Sequence, residues 1–219
     1  MLEDGDYGKY PMVSKYNRDQ IEAIILAHNH LRSLNPHELS KLRSKIEGYL
    51  RFRKEVYEFQ RYYFSEICTN QCFENNYSAC CNLEAVAIFF ADVVINVLLS
   101  SDQEIYHLLE ALRMGSRGFK CVYLGNSGCI WRLKPIACEM FLCKDAKAAV
   151  FTKNNVALRQ WEEFKCREKA YTWPDKPVLF DDLEEYFIKA GFSSDIMYFH
   201  KSPGLLKIKS LAKIRKGYS

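Results

Sequence analysis

Cysteine is the residue type in this chain that could do chemistry, and its cysteines are concentrated in one segment. Eight of the nine cysteines in 219 residues lie between positions 68 and 143. That local density, roughly 10%, is typical of disulfide scaffolds, whereas the chain as a whole lies well below it. The eight are Cys68, Cys72, Cys80, Cys81, Cys121, Cys129, Cys138 and Cys143. Thiol or metal chemistry is therefore expected in the middle of the chain.

The compartment decides how clustered cysteines are used. The first six residues are acidic and no apolar stretch follows them, so we expect no secretory signal and a cytoplasmic, reducing location. The most apolar run, 85–99, contains Asp92 and Asn96 and is too short to span a membrane. In a reducing compartment, clustered cysteines favour metal ligands or redox thiols over disulfides.

The spacing of the eight cysteines limits the kind of site. The pattern C-x3-C-x7-C-C, followed after 39 residues by C-x7-C-x8-C-x4-C, fits neither a zinc finger nor a bacterial ferredoxin. One zinc takes four ligands, so eight thiolates indicate either two sites or one site with spare cysteines. The side chains of adjacent Cys80 and Cys81 diverge in a regular helix or strand, so we expect them not to share one ion.

Local structure predicts how the later cysteines divide. If Leu124 pairs with Cys129 in a hairpin, a regular strand points Cys121 to the opposite face. We therefore expect Cys121 and Cys129 to serve different sites. Cys138 and Cys143 are about 140° apart on an ideal helix, so they share a site only if that helix ends near residue 141.

Motifs in 121–143 add a resemblance to a known family. A cysteine is followed by an aromatic residue and leucine, then by Gly-Cys-Ile-Trp, then by Lys-Pro-x-x-Cys. The segment resembles the C-terminal half of the YkgJ-like cysteine-cluster family, described as zinc- or iron-chelating domains. Trp131 stands where the family has tyrosine and Lys134 where it has arginine. The matching positions are Cys121, Tyr123, Leu124, Cys129, Ile130, Trp131, Lys134, Pro135, Cys138 and Cys143.

The earlier cysteines resemble the family's N-terminal element, C-x2-C-x2-C-C, in a longer form that keeps the Cys80–Cys81 pair. The resemblance implies a metal centre with the eight cysteines as ligands, and with Trp131 and Lys134 beside them. It leaves the metal open. The family also includes flagellin lysine methylases, so the resemblance implies a cluster-dependent protein methylase as one alternative.

Soft, all-thiolate ligation suits an iron–sulfur cluster, such as a four-iron, four-sulfur cluster, or Zn²⁺. Because the thiolates exceed one zinc's needs, we place iron–sulfur ahead of zinc, with a redox, electron-transfer or metal-handling role. A zinc-stabilised module that binds a protein partner is the other alternative. The ninth cysteine, Cys166, is expected to pack in a helix.

Charge gives little sign of nucleic-acid binding. The five basic residues within 207–216 more than account for the net charge of +4, so no nucleic-acid partner is expected. Hydrophobic residues make up 48% of the chain, which excludes disorder as its main state. An unidentified protein partner remains open.

Hydrophobic periodicity predicts the elements that must position the cysteines. We expect one mainly α-helical domain with a small β-hairpin and a cysteine-rich metal centre. Its parts are N-terminal helices in 1–67, the cysteine-cluster region in 68–143, and C-terminal helices with a basic tail in 144–219. The predicted helices are 17–34, 36–67, 83–100, 102–114, a short one carrying Cys138, 146–170 and 181–190. Residues 68–82 are predicted to form a loop, and 119–124 and 129–131 to form the hairpin.

Overall fold

Helices carry most of the chain in the computed structural model, which describes residues 13–81, 87–116, 118–173 and 178–197. The first elements are α1 (Lys15–Ser33), α2 (Pro36–Ser65), a π-helix (Glu66–Phe73), α3 (Phe90–Leu99) and α4 (Asp102–Met114). A hairpin of β1 (Leu124–Gly125) and β2 (Gly128–Cys129) follows. The last helices are α5 (Ile136–Glu139), α6 (Lys144–Phe151), α7 (Asn155–Thr172) and α8 (Leu179–Lys189). The prediction of a mainly helical domain with a small hairpin is confirmed.

Helix boundaries follow the capping residues that the sequence offers. Asn35 accepts a hydrogen bond from the backbone of Glu38, and the Glu38 carboxylate accepts one from the backbone of Asn35. This reciprocal cap, with Pro36 in the first turn, explains why the chain turns sharply between α1 and α2. Ser101 and Glu104 cap α4 in the same way. The predicted break at 35–36 and the start of α4 are therefore confirmed.

The core is built around α3. Every residue from Phe90 to Leu98 is buried, because α1 packs on one part of the helix and α8 on another. The predicted buried helix is thus confirmed, but it begins at Phe90, and residues 87–89 precede it without regular structure. Residues 82–86 of the predicted helix lie outside the described ranges.

Aromatic side chains join α2 to α7. The rings of Phe59 and Trp161 stack with centroids 5.8 Å apart, and those of Phe52 and Tyr171 stack at 5.4 Å. Large rings bury much apolar area and favour such offset contacts. The middle of α2 is therefore held by the C-terminal helices, well before the helix reaches the first cysteine.

Two predicted boundaries are wrong. Residues 66–73, predicted largely as loop, continue α2 as a π-helix that carries Cys68 and Cys72. The polar Thr, Asn and Gln residues here suggested a loop, yet widened backbone hydrogen bonding continues the helix, as often happens beside functional sites. The predicted helix 146–170 is two helices, because residues 152–154 separate α6 from α7, and Asn154 caps α7.

The hairpin is shorter than predicted. Leu124 pairs with Cys129 and Gly125 with Gly128, which confirms the expected register. Gly128 has a φ of 106°, a conformation that side-chain-bearing residues rarely adopt. The strands contain two residues each, and residues 122–123 form a turn before β1. Cys121 therefore does not lie on a regular strand.

Across the described ranges, no helix is both long enough and apolar enough to span a bilayer. This agrees with the sequence expectation for the run 85–99, in which α3 has ten residues.

We expect Phe187→Ala to lower the free energy of unfolding by about 3–5 kcal/mol. The Phe187 ring is fully buried and packs edge-on against Phe90 of α3 with centroids 5.1 Å apart. The neighbouring substitution Ile188→Ala, at a side chain 37% exposed, is the control and should cost under about 1 kcal/mol. Urea unfolding measures both, and equal losses would contradict the central place of α3 and α8 in the core.

Candidate metal centre

The eight cysteines of the cluster all carry free thiols and lie between the end of α2 and the start of α6. Cys68 and Cys72 are four residues apart on the π-helix, a spacing that places both on one face. Cys143 caps α6, where its Sγ accepts a hydrogen bond from the backbone of Ala146 at 3.4 Å. The π-helix and the start of α6 thus position three of the eight thiols, those of Cys68, Cys72 and Cys143.

The segment after the π-helix folds back onto it. The carbonyl oxygen of Cys72 accepts hydrogen bonds from the backbone N–H groups of Tyr77, at 2.9 Å, and Ser78, at 3.3 Å. The backbone N–H of Ala79 reaches Cys72 Sγ at 3.5 Å. Cys80 is therefore brought back towards the thiols on the π-helix.

The two halves of the cysteine set meet through the backbone. The N–H of Cys121 donates to the carbonyl of Cys81 at 3.0 Å. Nearby, the Lys120 ammonium donates to the carbonyl of Tyr77. These two bonds join residues about 40 positions apart in the sequence and place Cys81 beside the hairpin.

The adjacent thiols Cys80 and Cys81 interact directly, with their Sγ atoms 4.0 Å apart. The hydrogen bond between the two thiols, in which either sulfur could donate, lowers the pKa of Cys81 and raises that of Cys80. The pair therefore has two unequal members, of which Cys81 is the better thiolate.

Four thiols share one electrostatic neighbourhood, namely Cys81, Cys121, Cys129 and Cys138. Burial, and then the charges of Cys129 and Cys121, raise the pKa of Cys138 to about 12. Burial also raises the pKa of Cys121, and the charge of Cys129 adds to that increase. Cys81 feels the charges of the other three. We call these four residues the hairpin group.

The other four thiols form a second neighbourhood around Cys68. Burial, and then the charges of Cys80, Cys143 and Cys72, raise the pKa of Cys68 to about 11. We call these four residues the helix group. The two groups meet at the adjacent pair, because the Cys80 and Cys81 Sγ atoms lie 4.0 Å apart and the charge of Cys80 also raises the pKa of Cys138. The side chains of the pair do not diverge as the sequence argument expected, and the expectation that they do not share one ion stays a prediction.

Charge interactions extend farther than metal–ligand bonds. Thiols that shift one another's pKa values therefore need not lie close enough together to bind one ion. Within the described residues, which include all eight cysteines, no three His, Cys, Asp or Glu side chains are arranged to hold one ion. Within neither group do three thiols come together closely enough to hold one ion. The donor set, eight free and soft thiol ligands, fits a thiophilic metal in its chemistry.

The expectation that Cys121 and Cys129 serve different sites stays a prediction, although the regular strand on which it was based is absent and the charge of Cys129 contributes to the raised pKa of Cys121. The physical reason for the missing strand is the turn before β1. Alternation between faces requires a regular strand, and the backbone of Cys121 instead accepts a turn hydrogen bond from Leu124 at 3.0 Å. The helix that carries Cys138 ends at Glu139, before Cys143, so the helical geometry that would keep Cys138 and Cys143 apart does not apply, and their sharing of a site stays untested.

Asn96 of α3 fixes the chain just after the hairpin. Its amide donates to the carbonyl of Leu133 at 2.9 Å, and its oxygen accepts from the N–H of Leu133 at the same distance. Both backbone groups of one residue are thereby satisfied by one buried side chain.

Asp92, one turn earlier on α3, fixes the next stretch of chain. One carboxylate oxygen accepts from the N–H of Ile136 at 3.0 Å, and the other accepts from the N–H of Phe89 at 3.2 Å. Burial raises the pKa of Asp92 to about 6, although Arg53 and the two N–H groups oppose this increase. The two polar residues in the apolar run 85–99 are therefore each satisfied by neighbouring backbone groups.

Arg53 of α2 completes this arrangement. Its guanidinium donates to the carbonyl of Lys134 at 2.6 Å and to the Tyr49 hydroxyl at 2.7 Å, and it lies 3.7 Å from the Glu139 carboxylate. Gln60 donates to the carbonyl of Glu139. We call Arg53, Asp92 and Asn96, with the backbone of 133–136 that they bind, the polar clamp. It places Cys129 and Cys138 on either side of a fixed segment.

Trp131 and Lys134, which the resemblance implied to lie beside the thiols, line a cleft together with Cys129, and a role at a metal stays a prediction. The Trp131 ring is buried and packs edge-on against Tyr123 with centroids 5.1 Å apart. The Tyr123 hydroxyl donates to Gln20 of α1. The Lys134 ammonium lies 3.8 Å from the Glu139 carboxylate, and its charge lowers the pKa values of Cys68, Cys80 and Cys129 against the larger effects that raise them.

Sequence reasoning missed the residues that position this region: Gln20, Arg53, Gln60 and Glu139. One signal was available, because Arg53 interrupts the apolar stripe of α2 between Tyr49 and Val56. A charged residue on a buried helical face needs a partner, which here is a backbone carbonyl together with a buried carboxylate. The expectation that Cys166 packs in a helix is wrong, since its position on α7 leaves it exposed to solvent.

Comparison with models of protein families, with curated proteins and with solved structures finds no match for this chain.

The raised pKa of Asp92 predicts a specific pH dependence of stability. Since the folded-state pKa of about 6 exceeds the ordinary 3.8, stability is highest below about pH 4 and falls as the pH rises through 6. Once Asp92 is fully ionised, a pKa difference of this size lowers the free energy of unfolding by about 3 kcal/mol. Asp92→Asn cannot ionise, and its amide accepts only one of the two N–H bonds, so it costs about 1–3 kcal/mol at low pH.

We expect the stability advantage of the wild type over Asp92→Asn to shrink between pH 4 and pH 7.5. Urea unfolding at both pH values measures this difference. The control is Asp145→Asn, at an exposed position in the first turn of α6, whose difference from the wild type should change little with pH. A wild-type advantage that grows with pH would contradict an Asp92 pKa raised by burial.

Proposed function

We propose that this chain is a metal-binding protein that holds an iron–sulfur centre on its cysteine cluster, with Zn²⁺ as the next metal. The proposed role is redox, electron transfer or metal handling in a reducing compartment such as the cytoplasm. The resemblance of 121–143 to the YkgJ-like family is part of this proposal. A bound iron–sulfur cluster would supply one-electron chemistry.

The observation that carries the proposal is the selective gathering of eight thiols. The cysteines of the spaced pattern shift one another's pKa values mainly within two sets of four, which touch at Cys80 and Cys81, whereas Cys166 is exposed on α7. Four thiolates are the complement of either a tetrahedral zinc or a common iron–sulfur cluster. This grouping supports two centres over one centre with spare cysteines.

The environment of the thiols also supports metal binding. Burial raises the pKa values of Cys121, Cys129 and Cys138, so these thiols are protonated at neutral pH. A thiophilic metal would displace those protons and neutralise the charge that burial disfavours. The polar clamp holds the backbone between Cys129 and Cys138.

Elemental analysis of anaerobically purified full-length protein tests the proposal. We expect iron with labile sulfide and a brown colour. A colourless protein with stoichiometric zinc would replace the iron–sulfur assignment by zinc, and protein without bound metal would refute the metal site altogether.

Serine substitutions test the division into groups. With two centres, Cys121→Ser in the hairpin group and Cys72→Ser in the helix group should each remove about half of the metal. The double variant should remove nearly all of it. Cys166→Ser is the matched control and should retain the full content. Loss of all metal in either single variant would contradict two independent centres.

A further inference from the structure

The adjacent thiols Cys80 and Cys81 have a geometry that allows chemistry other than metal ligation. Their Sγ atoms lie 4.0 Å apart, and a disulfide needs about 2.05 Å, so an approach of about 2 Å by side-chain rotation would join them. Within the described residues, no third His, Cys, Asp or Glu side chain comes close enough to complete an ion site with the pair. Two neighbouring thiols without a third ligand can form a disulfide.

The two members of the pair differ in their exposure to solvent. Cys80 is exposed, whereas Cys81 is half-buried. A dissolved oxidant therefore has access to Cys80, and Cys81 lies within reach as the second thiol. Cys166 is exposed as well, but α7 carries no second cysteine that could react with it.

The backbone holds Cys81 beside Cys80. The N–H of Cys81 donates to the carbonyl of Ser78 at 2.9 Å, and its carbonyl accepts from the N–H of Cys121 at 3.0 Å. In the turn before the pair, Asn76 and Ser78 have φ angles of 61° and 38°, which residues other than glycine rarely adopt. Such conformations persist where the surrounding structure imposes them, and they cluster at functional sites. Because both backbone groups of Cys81 are engaged, the movement that closes a disulfide falls mainly to the two side chains.

A disulfide between neighbouring residues is strained by its geometry. Consecutive Cα atoms are about 3.8 Å apart across a trans peptide, whereas disulfides usually join Cα atoms about 4.4–6.8 Å apart. A strained disulfide is more easily reduced than a structural one. A disulfide formed at this pair therefore opens again in the presence of reduced thiols.

We propose that Cys80 and Cys81 are a redox-active dithiol that exchanges with low-molecular-weight disulfides such as oxidised glutathione. Cys80 loses its proton and attacks one sulfur of the small disulfide, so that a mixed disulfide forms on Cys80 and one small thiolate leaves. Cys81 then loses its proton and attacks Cys80 Sγ, which closes the Cys80–Cys81 disulfide and releases the second small thiolate. The two small thiolates take up the two protons. The pair has then lost two electrons, and the small disulfide has gained them.

Oxidation of the pair removes two of the eight clustered thiols from metal binding, a consequence that rests on the proposed function. A sulfur in a disulfide has no thiolate to offer to a metal. Since the helix group and the hairpin group meet at Cys80 and Cys81, one two-electron oxidation takes one ligand from each group. The pair thereby links the metal content of the protein to the supply of oxidant.

Alkylation followed by mass spectrometry of the anaerobically purified full-length protein tests the dithiol, after treatment with oxidised glutathione and a chelator. We expect an internal disulfide between Cys80 and Cys81, which reduced glutathione in about tenfold excess reopens. Cys81→Ser lacks the second thiol, so it should retain glutathione on Cys80. Absence of the Cys80–Cys81 disulfide in the wild type, or a Cys81→Ser variant without glutathione on Cys80, would overturn the proposal.

Cys166→Ser is the matched control, because it removes an exposed cysteine that has no second cysteine on its helix. This variant should form the Cys80–Cys81 disulfide as readily as the wild type. A slower or absent disulfide in it would show that Cys166 takes part in the exchange and would contradict a dithiol of two residues.

Uptake of Zn²⁺ separates this proposal from the proposed function. The oxidised protein should bind at most about half as much Zn²⁺ as the reduced protein, because each set of four thiols has lost one ligand. Reduction should restore the uptake, and equal uptake by the two forms would overturn the link to metal binding. A reduced protein that binds neither Zn²⁺ nor iron would refute the metal centre, whereas a disulfide that still forms in that protein would support the dithiol.

Discussion

The cysteine-rich region depends on hydrogen bonds from buried side chains to the backbone of residues 133–136. This stretch contains only a short helix, so its N–H and C=O groups need partners from elsewhere in the fold. The polar clamp provides them from α2 and α3, two helices that are themselves fixed by the aromatic and aliphatic core. Because the core fixes α2 and α3, the hydrogen bonds from these helices also fix the backbone between Cys129 and Cys138.

The two groups of thiols differ in how they are supported. Three members of the hairpin group, Cys121, Cys129 and Cys138, lie on a segment that side chains of α1, α2 and α3 bind. The helix group depends on the π-helix, on the α6 cap made by Cys143, and on backbone bonds to Cys72. Side-chain hydrogen bonds from α1, α2 and α3 therefore support the segment of Cys121, Cys129 and Cys138, whereas local backbone bonds support that of Cys68, Cys72, Cys80 and Cys81.

The sequence was informative where a local rule determines structure. Asn35 with Glu38, and Ser101 with Glu104, form caps that can be recognised from residue types alone, and glycines 125 and 128 located the hairpin. The π-helix could not be predicted, since its residues have the composition of a loop. The same is true of the grouping of Cys121 with Cys129, which depends on a two-residue turn. Arg53 and Glu139, 86 positions apart, become partners only through packing that no local pattern records.

The π-helix has a consequence for how the chain could be divided. It continues α2 without a break, so one helical rod runs from Pro36 to Phe73 and carries both the aromatic contacts with α7 and the first two cysteines. A cut at residue 67 would pass through this rod and would remove Arg53 and Gln60 from the segment they bind. The cysteine segment is therefore not a cassette that can be excised or grafted onto another scaffold, because the groups that shape it belong to the helices around it.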